Sequence, residues 1–132
     1  MQSSSIRIFG LAALIGLSAG ILHAASDTWD GGNSAMWADG TNWVGDAVAP
    51  GSGETATFSG DGNGNTTIDL GDGTTVGALV FDTASAAAYT IGSGGVGAQT
   101  LTLTTPSGTP TVSVSSSVVN DQTIHANILH NT

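Results

Sequence analysis

The most apolar run after the first two dozen residues is Val76 to Phe81, Val-Gly-Ala-Leu-Val-Phe, and its alternation places Leu79 and Phe81 on one face. The same large-x-large doublet recurs upstream as Ala56/Phe58 and Ile68/Leu70. Downstream it returns as Tyr89/Ile91, Leu101/Leu103, Val112/Val114 and Ile124/Ala126, the last extended by Ile128. The second members fall at 58, 70, 81, 91, 103, 114 and 126, in steps of 12, 11, 10, 12, 11 and 12. A period-2 doublet repeated at this spacing predicts short strands joined by turns. Two strands per coil would stack Phe58, Phe81, Leu103 and Ala126 on one side and Leu70, Ile91 and Val114 on another, while three per coil would give a repeat of about 33 to 35 residues. An antiparallel β-sandwich is the alternative reading of the same spacing.

Helical periodicity is absent beyond the leader, because glycine interrupts most windows and the one helix-friendly run, Ala84 to Ala88, is too short to stand alone. That run is expected to be a loop or a single turn before the Tyr89 strand. Residues 1–24 read as a secretory signal: Arg7 and the amine form the positive end, Ile8 to Leu22 the apolar stretch, and Ala24 or Ala25 the cleavage site. Export to the outer surface or surroundings of a bacterium is the expected localisation.

Removing that leader removes Arg7, the single basic side chain, and leaves ten carboxylates. Nucleic-acid binding and attraction to anionic lipid both need Lys or Arg, so neither partner is expected, nor is membrane insertion of the exported part. There is no cysteine, so an exported chain of this size has no disulfide framework and must be held by packing or metal. Gly, Thr and Ser supply 17, 18 and 11 of residues 25–132, a composition compatible with disorder. The regular doublets argue for order instead, since a random polar tract would not keep its large side chains in phase.

All three tryptophans lie between Trp29 and Trp43. A stack of strands needs its first open end covered, and an indole-rich lid suits that task. The competing reading is a carbohydrate platform, in which an exposed Trp29, Trp37 or Trp43 packs on a pyranose ring while Asp30, Asp39 or Asn42 bonds its hydroxyls. The domain reading is therefore a leader over 1–24, a Trp/Gly-rich cap over 25–54 and a strand ladder over 55–132.

The order Trp-x-Gly-Gly at 29–32, Trp37, Asn42-Trp43, Pro50, Thr55-Ala56-Thr57-Phe58, Val76 to Phe81 and Tyr89-Thr90-Ile91-Gly92 resembles the opening of bacterial proteins that carry autotransporter-associated β-strand repeats. The resemblance spans roughly residues 29–128. It implies a right-handed parallel β-helix displayed at, or released from, the cell surface. Such proteins continue into Gly-x-Gly-x-Leu-x-Leu-x-Gly repeats and end in a barrel or sorting tail, whereas Thr132 follows directly on a strand, so a solenoid fragment is expected. Its open end, Ile124 to Leu129, is then an aggregation-prone edge, and the natural neighbours are further rungs of the same protein or a polysaccharide.

Few motifs carry chemistry. Asp61, Asn63 and Asn65 have the alternating oxygen spacing of a calcium loop, continued by Asp69 and Asp72, but Thr66 stands where the sharp turn wants glycine and no helices flank it. A plain Gly/Asn turn is the competing reading. Gly92 to Gly97 fits Gly-x-Gly-x-x-Gly, yet another strand follows, so no helix N-terminus is there to hold a pyrophosphate. His125 is expected to point out of its strand, and a catalytic or metal role with His130 and Asp121 has nothing further to support it. Asp69 and Asp82 could approach one another if their strands stack, but nothing in the sequence selects a pair of carboxylates for an inverting glycosidase. With no basic residue to hold a substrate carboxylate, a polysaccharide-lyase mechanism is not expected, and the chain reads as non-enzymatic, with no cofactor other than the candidate calcium.

Overall fold

The computed structural model describes residues 25–45 and 48–131. The leader expectation lies outside the described residues. Ten strands alternate with turns: β1 (Asp27–Thr28), β2 (Thr55–Phe58), β3 (Thr67–Ile68), β4 (Thr74–Val76), β5 (Ala78–Phe81), β6 (Thr90–Ile91), β7 (Thr100–Thr104), β8 (Thr111–Val114), β9 (Thr123–Ile124) and β10 (Asn127–Asn131). They form three sheets, ordered β1-β2-β5-β8, β3-β6-β9 and β4-β7-β10. Every pairing between these strands is parallel. The chain is a β-solenoid of three-sided coils, and the antiparallel sandwich is ruled out by those pairings.

Register stacks like on like. Ala56, Leu79 and Val112 align on the first face, as do Phe58, Phe81 and Val114. Ile68, Ile91 and Ile124 align on the second, and Val76, Leu103 and His130 on the third. The inward members are buried through the third coil, with Phe58 and Phe81 stacked at 5.3 Å between ring centroids and Tyr89 edge-on to Phe58 at 5.0 Å. Each rung thereby covers the apolar side chains of the one before it, which is the main source of solenoid stability.

Two expectations need correction. Val76 to Phe81 is not one strand: it breaks at Gly77, where the chain turns from the third face to the first. A Cβ at Gly77 would lie 2.5 Å from the Gly53 carbonyl carbon and 2.8 Å from Glu54 N, so the corner closes only without a side chain. The coil is also not of constant length. Ala56 pairs with Leu79, 23 residues on, and Leu79 with Val112, 33 residues on, while Thr100 pairs with Asn127, 27 residues on. The second coil turns its last corner with Gly77 alone, whereas the third spends residues 105–110 there, so neither of the uniform stacks predicted from spacing is formed.

The last coil departs in exposure rather than in pattern. Val112 and Val114 occupy inward positions but are 40% and 54% exposed, because no further rung lies on them. Residues 84–85 form the expected single turn. His125 is half-buried rather than fully exposed, its N–H donating to Ile91 O at 2.8 Å.

Candidate functional site

The tryptophan segment folds over the first coil. A 3-10 turn at Gly40–Asn42, capped by the Asp39 carboxylate, reverses the chain so that Trp43 bridges Trp29 antiparallel and Val44 N donates to Thr28 O at 2.9 Å. The indoles meet edge-on, Trp29 to Trp43 at 5.2 Å and Trp37 to Trp43 at 4.9 Å, above Phe58. Each indole N–H has a carbonyl: Trp29 Nε1 donates to Asn65 O at 3.1 Å, Trp37 to Pro50 O at 3.2 Å and Trp43 to Trp37 O at 2.9 Å. The rings are 1%, 2% and 0% exposed respectively, in the order Trp29, Trp37, Trp43. None offers a face to a pyranose, so the carbohydrate-platform assignment of these residues does not fit, and the three form the lid.

The polar residues proposed to accompany such a platform are engaged in holding the lid. Asn42 is fully buried and uses all its capacity: Oδ1 accepts from Asn33 N at 2.9 Å and Ser34 N at 2.7 Å, while Nδ2 donates to Ser34 Oγ and Met36 O, both at 2.9 Å. Asp30 Oδ1 accepts from Gly32 N at 2.9 Å. Asp39 receives the Thr41 hydroxyl at 2.6 Å, Asn33 Nδ2 at 3.0 Å, Thr41 N at 3.1 Å and Ser34 Oγ at 3.3 Å. Those donors, Thr41 foremost, hold its carboxyl down to about 2 from the ordinary 3.8.

The Asp61 loop serves the same lid. Asp61 caps a short 3-10 turn at Gly62–Gly64 by accepting from Asn63 N at 3.1 Å. Asn63 Nδ2 then donates to Asp30 O at 2.9 Å, and Asn65 Nδ2 to Gly31 O at 2.8 Å. Both carboxamides thus reach across to the first coil. Asp69 lies on the second face, where its backbone pairs with Ala35 and Trp37 and its carboxylate takes Gly71 N at 2.8 Å and Gln99 Nε2 at 2.6 Å. Gly71 N, then Gln99, lower its pKa. Asp72 is exposed in the turn before β4. Among the described residues no group of three or more His, Cys, Asp or Glu is placed to hold a metal. Adding a calcium chelator is expected to leave the melting temperature unchanged. A drop of several degrees, reversed by calcium, would restore the ion-binding reading of Asp61, Asn63, Asn65, Asp69 and Asp72.

The catalytic candidates are dispersed. Asp69 follows β3 and Asp82 follows β5, strands of different sheets, so stacking does not bring the two together. Asp121 is exposed in the turn before β9. Gly92 to Gly97 joins β6 to β7 and is followed by a strand, as the sequence predicts. The described residues enclose no cavity.

A residue that sequence reasoning missed is Gln99. Its Oε1 accepts from Leu70 N at 3.1 Å and Ser93 N at 2.7 Å while its Nε2 bonds Asp69 and Gly71 O, tying the corner of one coil to the next. Gln122 repeats the device one rung further on, joining Tyr89 N to Ala87 O. Both glutamines stand just before a strand and open the same Gln-Thr-apolar triplet, Gln99-Thr100-Leu101 and Gln122-Thr123-Ile124, a sequence signal that could have marked them.

The groups with shifted titration set an expected stability profile. Asp39 and Asp69 stay ionised in the fold where the free chain takes up protons, so their contribution is complete above pH 3.8 and fades as pH falls below it, for Asp39 toward about 2. Tyr89 is pushed up to about 12 from 10.0, first by burial and then by the Asp61 charge, and its O–H donates to Gly60 O at 2.9 Å. Its contribution is complete below 10.0 and fades as pH rises toward about 12. These three groups should therefore lower the melting temperature as pH falls below about 4 and as it rises above about 10. Asp39→Asn should shallow the acid limb, and an unchanged acid limb in that variant would contradict the assignment.

No protein-family model, curated protein or solved structure matches the chain. The likeness to autotransporter-associated repeat proteins therefore rests on the order of its tryptophans, glycines and strand doublets.

Proposed function

We propose that this chain is the non-catalytic, structural start of an exported, cell-surface β-solenoid of the autotransporter-passenger type. The observation that carries the reading is the buried indole lid that closes the first coil of a parallel, three-sided stack. A lid that spends its aromatic and carboxamide groups on internal bonds supports a role in starting and protecting a ladder rather than in holding a ligand. The dispersed carboxylates support the absence of glycan chemistry, and the apolar first segment supports export. The neighbours of the ladder are further β-rungs that continue its three faces.

The test is expression of the full chain in a Gram-negative bacterium, followed by fractionation and intact-mass measurement. Outside the inner membrane, a product shortened by residues 1–24 is expected, together with tryptophan fluorescence that does not respond to added oligosaccharides. A full-length product retained in the cytosol, or a saturable fluorescence response to a glycan, would end the proposal.

A further inference from the structure

Within the Asp61 loop, the turn from Gly62 to Asn65 is left-handed. Asn63 stands at φ 48° and ψ 29° and Gly64 at φ 81°, and Asn65 N donates to Gly62 O at 2.7 Å. Positive φ at both central residues under such a bond is a type I′ turn, for which Asn-Gly is a favoured pair. Asn63 is one of two described residues other than glycine with positive φ, and Asn63-Gly64 is the only Asn-Gly step in the chain. Both residues are exposed, and a Cβ placed on Gly64 would meet nothing within 4 Å, so the tip of the turn stands clear of the coils.

Rotating the peptide between the two central residues turns type I′ into type II′ and keeps the closing bond. It carries ψ of the first residue from about 30° to about −120° and φ of the second from about 90° to about −80°. In an L-residue that ψ eclipses the next backbone nitrogen with Cβ, which is the arrangement that closes a five-membered ring between that nitrogen and the carboxamide carbon. Glycine accepts either sign of φ and puts no side chain in the path of the attack. Two bonds oppose the rotation and ring closure. Gly64 N donates to Asp61 O at 3.3 Å, long for such a bond, and Asn63 Nδ2 donates to Asp30 O at 2.9 Å on the exposed surface.

We propose that Asn63 is a self-modifying site, at which water converts the carboxamide through a cyclic imide to aspartate and isoaspartate and so cuts a tie between the second coil and the lid. Hydroxide takes the Gly64 amide proton, and Gly64 N attacks Asn63 Cγ. The new N–Cγ bond forms as the Cγ–Nδ2 bond breaks, and Nδ2 takes a proton from water and leaves as ammonia. Water then opens the imide. Opening at Cγ gives aspartate, and opening at the main-chain carbonyl carbon gives isoaspartate, with the backbone running through Cβ. One water is consumed and one ammonia released, with no oxidant or reductant. Either product loses the N–H donor that holds Asp30 O and gains a carboxylate beside that of Asp61, and residues 25–132 contain no Lys or Arg to offset it. Isoaspartate also lengthens the backbone just before Asn65, whose Nδ2 holds Gly31 O at 2.8 Å and whose carbonyl accepts Trp29 Nε1 at 3.1 Å.

The purified chain, aged for days at neutral and at mildly alkaline pH, should gain one mass unit, which electron-transfer fragmentation should place at residue 63. The rate should rise with hydroxide concentration and run well ahead of that at Asn33-Ser34 and Asn65-Thr66. An isoaspartyl methyltransferase should label aged protein and not fresh protein. Aged Asn63→Gln, whose longer side chain would have to close a larger ring, should take no label. Asn63→Asp, which supplies the product's charge on an unaltered backbone, should melt several degrees below the parent, as the loss of one hydrogen bond does in a domain of this size. No gain at residue 63, a gain confined to Asn33 or Asn65, or a melting temperature of Asn63→Asp equal to the parent's would overturn the proposal. The mass and methylation readouts use the parent chain, so they decide the chemistry even if Asn63→Asp does not fold.

Discussion

Trp43→Ala should cost about 3–5 kcal/mol of folding free energy, the usual range for deleting a buried large aromatic side chain. Trp43 is fully buried, packs edge-on against both other indoles and donates to Trp37 O at 2.9 Å. Its loss leaves a cavity at the centre of the lid, strips Trp29 and Trp37 of their shared partner and orphans a buried carbonyl. Against a total stability of about 5–15 kcal/mol for a domain, and with no disulfide to limit the unfolded chain, that loss removes between about a fifth and all of the margin. Urea titration followed by circular dichroism measures it, with Val96→Ala, at a side chain 85% exposed, as the silent control. A change below about 1 kcal/mol for Trp43→Ala would mean that the lid is not part of the cooperative fold.

Asn42→Ala should have the second largest effect, about 1–3 kcal/mol, through hydrogen bonding rather than volume. The Asn42 carboxamide supplies the acceptor for two backbone N–H groups, those of Asn33 and Ser34, and donates to Met36 O. Alanine removes all three bonds in a part-buried loop, where Asn33 and Met36 are exposed and Ser34 is half-buried. The 33–36 loop carries Trp37 onto the second face, where Trp37 N donates to Asp69 O at 2.8 Å, so loosening it should expose the Trp37 ring. A red shift of tryptophan emission at lower urea than the loss of strand signal is the expected signature. Coincident transitions with an unchanged midpoint would show that the indoles alone hold the lid.

The two variants separate what carries the lid from what aims it. The rings supply buried area and edge-on contacts, which do not fix direction closely. The carboxamides supply direction. Asn42 shapes the loop, while Asn63 and Asn65 reach from the second coil to the carbonyls of Asp30 and Gly31. That use of the Asp61 loop was hidden in the sequence, where alternating oxygens read equally well as a calcium ladder or a turn. The difference lies in which atom of each carboxamide is turned inward, and that depends on a segment about thirty residues earlier in the chain.

What the sequence determined by itself was the all-β class, most of the inward positions and the place of the lid. Alternation of apolar and polar residues fixes which side chains of a strand share a face, and it does so from neighbours alone. What only the tertiary structure decided was how many strands make a coil, how long each coil is, and which strand lies over which. Those follow from corner geometry: Gly77 turns a whole corner with one residue because a Cβ there would meet the backbone of Gly53 and Glu54, from a segment more than twenty residues earlier. Exposure of Val112 and Val114 was also beyond the sequence. Their pattern matches that of Leu79 and Phe81, and only the stacking shows that nothing lies above them. Local spacing sets which way a side chain faces, but burial is decided by what the rest of the chain places against it.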